Sequence, residues 1–352
     1  MQSILVTGGA GFIGSNFVRW ALDRPGTNCK LVVLDKLTYA GNLENLAGLE
    51  EAFPDHYYFV RGDICDGDTV TELFEKHAPD IVLNFAAESH VDRSILDPME
   101  FVRTNVLGTA TLLTTAHSHW PEESWDRSRF LQVSTDEVYG SLPEDRPDLK
   151  FTEGTPLAPH SPYSASKASA DLLTQAYHDT YGFPTLITRC SNNYGPYQFP
   201  EKLIPLIIRN AMNDEAIPVY GDGKNIRDWL YVGDHCEALW AVLTGGKPGS
   251  VYNIGGDHEL RNIDLIRTLL DTLEKPHSLI EFVNDRPGHD RRYAIDAGKI
   301  KNELGWTPSS NFREKLAETV NWYREHTEWV DRVISGEYRG VYDRIYRHGW
   351  KG

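Results

Sequence analysis

Tyr163 and Lys167 stand four residues apart in Tyr163-Ser164-Ala165-Ser166-Lys167, a spacing that puts both side chains on one face of a helix. A phenol with an ordinary pKa of about 10 is a poor base at neutral pH. An ammonium group beside it favours the phenolate and arms it to take a proton from a hydroxyl group. Earlier in the chain, Ser134-Thr135-Asp136-Glu137-Val138-Tyr139-Gly140 follows an apolar run. Adjacent carboxylates mean little among 51 acidic residues, and Glu50-Glu51, Glu122-Glu123 and Asp214-Glu215 read as solvated pairs. Asp136-Glu137 differ by position, at the carboxyl end of a strand, where open α/β sheets bind ligands. Two carboxylates crowded in a cleft do not both ionise cheaply, so one pKa rises. One can then donate a proton while the other accepts one, the pairing that eliminates water. Strand alternation sends Thr135 and Glu137 one way and Asp136 the other.

A third group, Gly8-Gly9-Ala10-Gly11-Phe12-Ile13-Gly14, lies between an apolar strand and a helical stretch. Gly9, Gly11 and Gly14 satisfy G-x-G-x-x-G, and Gly8, Gly11 and Gly14 give G-x-x-G-x-x-G. Glycine there permits the tight turn, the approach of a pyrophosphate and close helix-on-strand packing. Free N–H groups and the helix dipole then stabilise phosphate charge. Asp35, about 20 residues past the last glycine, suits the ribose hydroxyls and repels a 2′-phosphate, which favours NAD over NADP. Lys36 weakens that preference slightly. Asp63-Ile64 after the third strand suits the adenine, and Phe85-Ala86-Ala87 after the fourth leaves room for pyrophosphate and ribose. Lys167 can also hold the nicotinamide ribose.

These groups need a frame. Strands are expected at residues 4–7, 31–35, 57–61, 81–85, 130–134 and 185–189, with helices at 12–22, 69–77, 98–119 and 163–181. Strands apolar on both faces, alternating with helices, give a parallel sheet covered on each side. The fold class is therefore α/β, a Rossmann-type doubly wound parallel sheet with a smaller mixed α/β C-terminal substrate domain. Residues 1–190 are expected to form the NAD-binding domain and residues 191–231 and 257–352 the smaller substrate domain, with 232–256 returning to the first and Asp234 as a helix cap. The tail 338–350 reads as a surface helix packing its rings down.

Apolar residues make up 40% of the 352, enough for real cores, and the formal net charge is −16. So acidic a surface repels nucleic acid and anionic membranes, so neither is an expected partner. An anionic substrate then requires local cations, for which Lys202, Arg227, Arg286, Arg291 and Arg292 are the candidates. The four cysteines are scattered without a C-x-x-C pair, and no His/Cys/Asp spacing suggests a metal. With no signal-like or membrane-spanning stretch, the expected location is the cytoplasm.

Taken together, the turn from Thr7 to Gly14, Ala86-Ala87-Glu88-Ser89-His90-Val91-Asp92, Thr135-Asp136-Glu137-Val138-Tyr139-Gly140, Tyr163/Lys167 and Asp285-Arg286-Pro287-Gly288-His289-Asp290 resemble the dTDP-glucose 4,6-dehydratases. These belong to the extended short-chain dehydrogenases/reductases. The resemblance runs over essentially the whole chain, with no departure at a catalytic position. It implies an NAD-dependent hydro-lyase of deoxysugar biosynthesis acting on dTDP-glucose, with Thr135 and Tyr163 at the C4 hydroxyl, Glu137 as base and Asp136 as acid. It implies cofactor contacts from Gly8, Gly11, Phe12, Ile13, Gly14, Asp35, Lys36, Leu37, Thr38, Asp63, Ile64, Phe85, Ala86, Ala87, Ser89, Thr104, Tyr163, Lys167 and Asn193. Ser89, Thr135 and Asn192 would meet the sugar or diphosphate. Lys202, Leu203, Pro218, Val219, Tyr220, Arg227, Asn262, Arg286, Pro287, Gly288, His289, Asp290 and Tyr293 would hold the nucleotide. The resemblance also implies a homodimer paired through the helices at 98–119 and 163–181. A nucleotide-sugar 4-epimerase would share all of this except a use for Asp136 and Glu137. An NAD-sensing regulator on the same fold would not need the Tyr163–Lys167 pair.

Overall fold

The computed structural model describes residues 2–24, 28–285 and 287–334. In chain order the strands are β1 (Gln2–Thr7), β2 (Cys29–Asp35), β3 (Tyr57–Arg61), β4 (Ile81–Asn84), β5 (Arg129–Thr135), β6 (Thr185–Cys190), β7 (Asn192–Tyr194), β8 (Ile217–Tyr220), β9 (Ile226–Tyr231), β10 (Val251–Ile254), β11 (Glu259–Arg261) and β12 (Ile280–Val283). Ile4, Leu5 and Val6 of β1 and Leu31 to Leu34 of β2 are buried on both faces, so neither strand could sit at a solvated surface. They lie inside a seven-stranded sheet ordered β10-β6-β5-β4-β1-β2-β3. Every ladder in it is parallel. The chain runs outward from β1 to β2 and β3, then crosses back to β4 on β1's other side. Between β1 and β4 their carboxyl ends open a crevice, the place where doubly wound sheets bind ligands.

The six expected strands all occur, within one or two residues at each end. The helix expected at 98–119 is interrupted: Pro98–Phe101 and Thr109–His119 are α-helical, and Val102–Gly108 between them is a π-turn. Asn105 explains the interruption. Its Oδ1 accepts from the Glu88 N–H at 2.9 Å, and its Nδ2 donates to the Glu88 carbonyl at 3.0 Å and to Ser166 Oγ at 2.8 Å. The extra residue of a π-turn aims that amide at the strand end and at the helix Pro162–Tyr181 together.

Helix Val232–Gly245 packs on helix Phe12–Asp23, with Trp240 and Trp20 meeting edge-on at 5.8 Å, and β10 then joins the large sheet beside β6. Asp234 is not the cap expected of it. Tyr231 occupies that position without a side-chain bond. The Asp234 carboxylate instead accepts from the Ser309 hydroxyl at 3.1 Å and the Ser310 N–H at 3.2 Å.

A second core forms where helices Leu203–Met212, Asn262–Leu273 and Phe312–Glu325 bring Ile204, Ile207, Leu265, Leu269, Leu316 and Val320 together. The spacings are three or four residues, one face of each helix. Beside it lie the small sheets β11-β9-β7 and β12-β8. Only Ser191 separates β6 in the large sheet from β7 in the small one, so the cleft between the two cores opens at that residue. The expected helix at 338–350 lies outside the described residues.

Candidate active site

A cavity of about 300 Å³ runs along the carboxyl ends of the sheet. Its floor is the glycine turn. Gly8 has φ +67°, and a Cβ there would lie 2.6 Å from the Ala86 nitrogen; one on Gly14 would lie 2.4 Å from the Gly8 carbonyl oxygen. Helix Phe12–Asp23 begins at Gly11 with no side-chain cap, and Gly11, Phe12, Ile13 and Gly14 line the cavity, so its first amides meet whatever lies there. Asp35 is buried at the end of β2; Oδ2 accepts from the Ala10 N–H at 2.9 Å and Oδ1 from the Leu37 N–H at 2.8 Å. Burial raises its pKa and these two bonds oppose the rise. Each oxygen keeps a further lone pair for a ribose hydroxyl. Lys36 bonds Asp63 at 2.9 Å, so its charge is met from within the chain.

Thr38, Asp63, Ile64, Phe85, Ala86, Ala87, Ser89, Thr104 and Asn193 also line the cavity, whereas Leu37, expected there, instead packs against the main core with φ +57°. Its contribution is the backbone N–H that orients Asp35. A narrow glycine floor, helix amides and a buried carboxylate at the far end together fit NAD.

Tyr163 sits in the first turn of helix Pro162–Tyr181, held there by a reciprocal capping box. Ser161 Oγ accepts from the Ser164 N–H, and Ser164 Oγ from the Ser161 N–H, both at 3.0 Å. Tyr163, Lys167, Thr135 and Glu137 converge on the cavity wall. Lys167 Nζ donates to the Val133 carbonyl at 2.7 Å. The expectation that its ammonium lowers the phenol's pKa is not met in this arrangement. Burial first, and then the negative charge of Glu137, push Tyr163 well above its ordinary range.

β5 ends at Thr135, whose hydroxyl accepts from the Glu137 N–H at 3.3 Å and caps the 3-10 turn Asp136–Tyr139. That turn separates the paired carboxylates. Glu137 lines the cavity, while Asp136 is 2% exposed, lies behind Thr135 at 3.4 Å and lines no cavity. Burial, then the charges of Glu137 and Asp228, hold the Asp136 carboxyl well above the usual carboxylate range. Asp136 is thereby biased toward its protonated form.

A second cavity of about 180 Å³ adjoins the first, sharing Glu137, Asn192, Glu201 and Lys202 with it. Leu203, Pro218, Val219, Tyr220, Arg227, Asn262, His289 and Tyr293 line it as expected positions. Lys202 Nζ donates to the Ser89 carbonyl at 3.0 Å, and the Arg227 guanidinium lies 4.2 Å from the centroid of the Tyr293 ring. Pro287, Gly288 and Asp290 do not line it, and Arg286 lies outside the described residues. Asp290 stands behind the wall as a support: Tyr293 donates its hydroxyl to Oδ2 at 2.6 Å, and Arg227 donates to its carbonyl at 2.9 Å.

Two candidate cations are spoken for. Arg291 bonds Asp222 at 2.8 Å and Glu144 at 2.8 Å. Arg292 is buried, bonding Glu259 at 2.8 Å and the carbonyls of Arg146, Pro147 and Leu149. Neither lines either of these two cavities, and internal carboxylates and carbonyls take up their donors.

The sequence reading missed His90, Asp92, Glu201, Trp229 and Ile266 in the second cavity. His90 and Asp92 stood in a quoted motif, and Tyr220 donates to Asp92 at 3.1 Å. Glu201 directly precedes Lys202, but its burial, which pushes its pKa up to about 7, has no local sign. Among the described residues no cluster of His, Cys, Asp and Glu could hold a metal, and no helix is long and apolar enough to cross a membrane.

Sheet order, glycine turn and the Tyr163–Lys167 helix define a short-chain dehydrogenase/reductase of the extended type. Residues 5–319 match the family model for GDP-mannose 4,6 dehydratase. A dTDP-glucose 4,6-dehydratase of Xanthomonas campestris pv. campestris (strain B100) is 56% identical, with 96% of this chain and 98% of that one covered. One from Escherichia coli (strain K12) is 51% identical, with 98% and 99% covered. The crystal structure of a Streptomyces venezuelae dTDP-glucose 4,6-dehydratase with NAD bound superposes with a TM-score of 0.87 at 48% identity, over 94% of this chain and 100% of that one. A UDP-glucose 4-epimerase of Thermotoga maritima reaches 0.83 at 27% identity, over 93% and 100%. The chain belongs to the dTDP-glucose 4,6-dehydratase family.

Proposed function

We propose that the protein converts dTDP-glucose to dTDP-4-keto-6-deoxyglucose and water, with NAD retained throughout. When bound, NAD accepts hydride from C4 and returns it to C6. Residues Gly8 to Gly14 would hold its pyrophosphate, Asp35 its adenosine ribose and Lys167 its nicotinamide ribose. Tyr163, with Thr135, takes the C4 hydroxyl proton. The 4-ketone so formed acidifies C5–H, and Glu137 removes that proton. Asp136, in contact with the cavity only through the Thr135 hydroxyl at 3.4 Å, supplies by way of that hydroxyl the proton with which the C6 hydroxyl leaves as water. Lys202 and Arg227 face the diphosphate.

One observation carries this reading over epimerisation: the turn after β5 splits two adjacent carboxylates into a buried Asp136, whose surroundings favour its protonated form, and a cavity-facing Glu137. Inverting C4 requires oxidation and reduction at one carbon and gives neither group work. The test is to offer dTDP-glucose to the purified protein without added NAD. A 4-keto-6-deoxy product, carrying at C6 the deuterium placed at C4 of the substrate, is expected. An epimerised hexose in its place would refute the reading.

The cofactor-binding part comprises residues 1–190 with 232–256, supported by the pairing of β10 with β6; residues 191–231 and 257–352 make the nucleotide-sugar part, except that Ile300 and Trp306 pack into the core of the first. A homodimer is supported by apolar side chains left open on the paired helices. Met99 is 69% exposed, Leu107 53% and Leu172 61%. The cytoplasm suits four free thiols, three of them buried.

A further inference from the structure

The helix that carries Tyr163 and Lys167 places a third ionisable residue on the same face. Asp171 follows Lys167 at i+4, is 1% exposed and lines neither cavity. The reaction proposed above does not use it. A carboxylate so dry is costly unless it is paired and hydrogen-bonded. Arg189 of β6 donates Nε to Asp171 Oδ2 at 2.9 Å, and this arginine is itself anchored. Its NH1 donates to the Tyr139 hydroxyl at 3.0 Å, which donates to Asn253 Oδ1 at 2.8 Å. Asn253 is fixed in turn by Glu153, which accepts from its backbone N–H at 2.9 Å, and by the Phe151 carbonyl, which accepts from its side chain at 3.1 Å. A continuous polar chain therefore runs from the catalytic helix across β6 and the turn after β5 to β10.

At the other end stands Lys167, 4% exposed and at the wall of the cofactor cavity. Burial by itself drives its ammonium toward losing the proton, and the Asp171 carboxylate opposes that. Burial likewise drives Asp171 toward its neutral form, and Arg189 opposes that. Arg189 contacts the carboxylate directly, whereas Lys167, one helical turn earlier and held by the Val133 carbonyl at 2.7 Å, feels its charge across the buried helix face.

We propose that Asp171, held by Arg189, is a positioning residue for the reaction: it is the buried counter-charge, one helical turn from Lys167, that keeps Lys167 an ammonium at the cofactor cavity. The proposal rests on the dehydratase reading above. Lys167 faces Asp171 on its own helix and Cys190 from β6. Asp171 faces Arg189 from β6, Ser134 from β5 and Lys167. Tyr163 faces Glu137 and Asp136 from the turn after β5 and Cys190 from β6. Without the Asp171 carboxylate, Lys167 gives up its proton at a lower pH. The alkaline limb of any step that needs the ammonium then moves down the pH scale.

The experiment measures single-turnover reduction of bound nicotinamide in the holoenzyme, with dTDP-glucose, across a pH series. In Asp171→Asn the alkaline midpoint should fall by about one unit, a tenfold loss of proton affinity, while the rate well below the midpoint stays near that of the parent. Asp171→Glu keeps the charge and should keep the parent's midpoint. If Asp171→Asn does not fold, Asp171→Asn combined with Arg189→Gln removes one charge of each sign and should move the midpoint the same way. A uniform rate loss with an unmoved midpoint, or a Glu variant shifted as far as the Asn variant, would overturn the proposal. A parent that reduces its nicotinamide yet forms no 4-keto-6-deoxy product counts against the dehydratase reading, and the midpoint comparison still decides the role of Asp171.

Discussion

With Glu137 as the C5 base proposed above, it is the residue at which oxidation and elimination would be pulled apart. Glutamine in its place keeps the shape and much of the hydrogen bonding but accepts no C5 proton. Tyr163, Thr135 and Lys167 stay as they are, so the C4 hydroxyl is still oxidised. Losing a general base costs about 10²–10⁴-fold in rate, here on the second step. Stopped-flow absorbance should therefore show reduced nicotinamide building up in Glu137→Gln while product forms slowly. Tyr163→Phe should abolish that signal. A Glu137→Gln variant that makes product at the parent's rate would exclude the assigned base. At this scale the sequence was legible where the signal is local. The glycine spacing, Tyr163/Lys167 and the adjacency of Asp136 and Glu137 can all be read within seven residues. It was illegible where partners are distant: nothing near Arg291 announces Asp222 and Glu144, respectively 69 and 147 residues away, that occupy it. The inversion of the expected Tyr163 shift has the same origin, since burial is a property of the folded chain.

Elements earn their precision at their ends. Tyr163 is one residue inside its helix, in the turn where fraying is easiest, and the Ser161–Ser164 box ties that turn down. Ser161→Ala removes the cap oxygen at a cost of about 1 kcal/mol, which for a chain of this size lowers Tm by about 2 °C. The catalytic loss should exceed what that small shift implies, because the loosened turn carries Tyr163, the proposed base: kcat falls while KM for dTDP-glucose holds. Ser161→Thr retains a cap oxygen and should restore both. Differential scanning calorimetry and steady-state kinetics on the two variants check this, and an Ala variant with unchanged kcat would show that the box only stabilises. The broken helix at 98–119 teaches the complementary point. Its apolar periodicity predicts one continuous helix, but tertiary demand for the Asn105 amide at Glu88 and Ser166 opens a π-turn that no helix propensity encodes.

For the whole molecule, the outstanding surface is the one formed by the helices beside the active site. Leu96 and Met99 precede the π-turn, Val102 and Leu107 lie within it, and Leu172 and Tyr181 lie on helix Pro162–Tyr181; all six are large apolar side chains at least 44% exposed. Elsewhere the chain is strongly acidic, with a net charge of −16 that keeps copies apart. An apolar patch on such a surface marks an interaction site. On the homodimer proposed above, a second copy of the chain would occupy it, the same face meeting itself around a two-fold axis. Leu172→Glu discriminates. In an isolated subunit, the change lies on open surface and alters stability by no more than about 0.5 kcal/mol. Across a two-fold interface it puts unpaired charge where apolar contacts stood, and the dimer separates. Sedimentation velocity should give a dimer for the parent and a monomer for the variant, with Tm dropping only as far as lost association requires. Dissociation should also lower kcat, because the helix that loses its partner is the one that aims Tyr163 and Lys167. A parent that sediments as a monomer, or a variant that stays dimeric, would remove this face from the account.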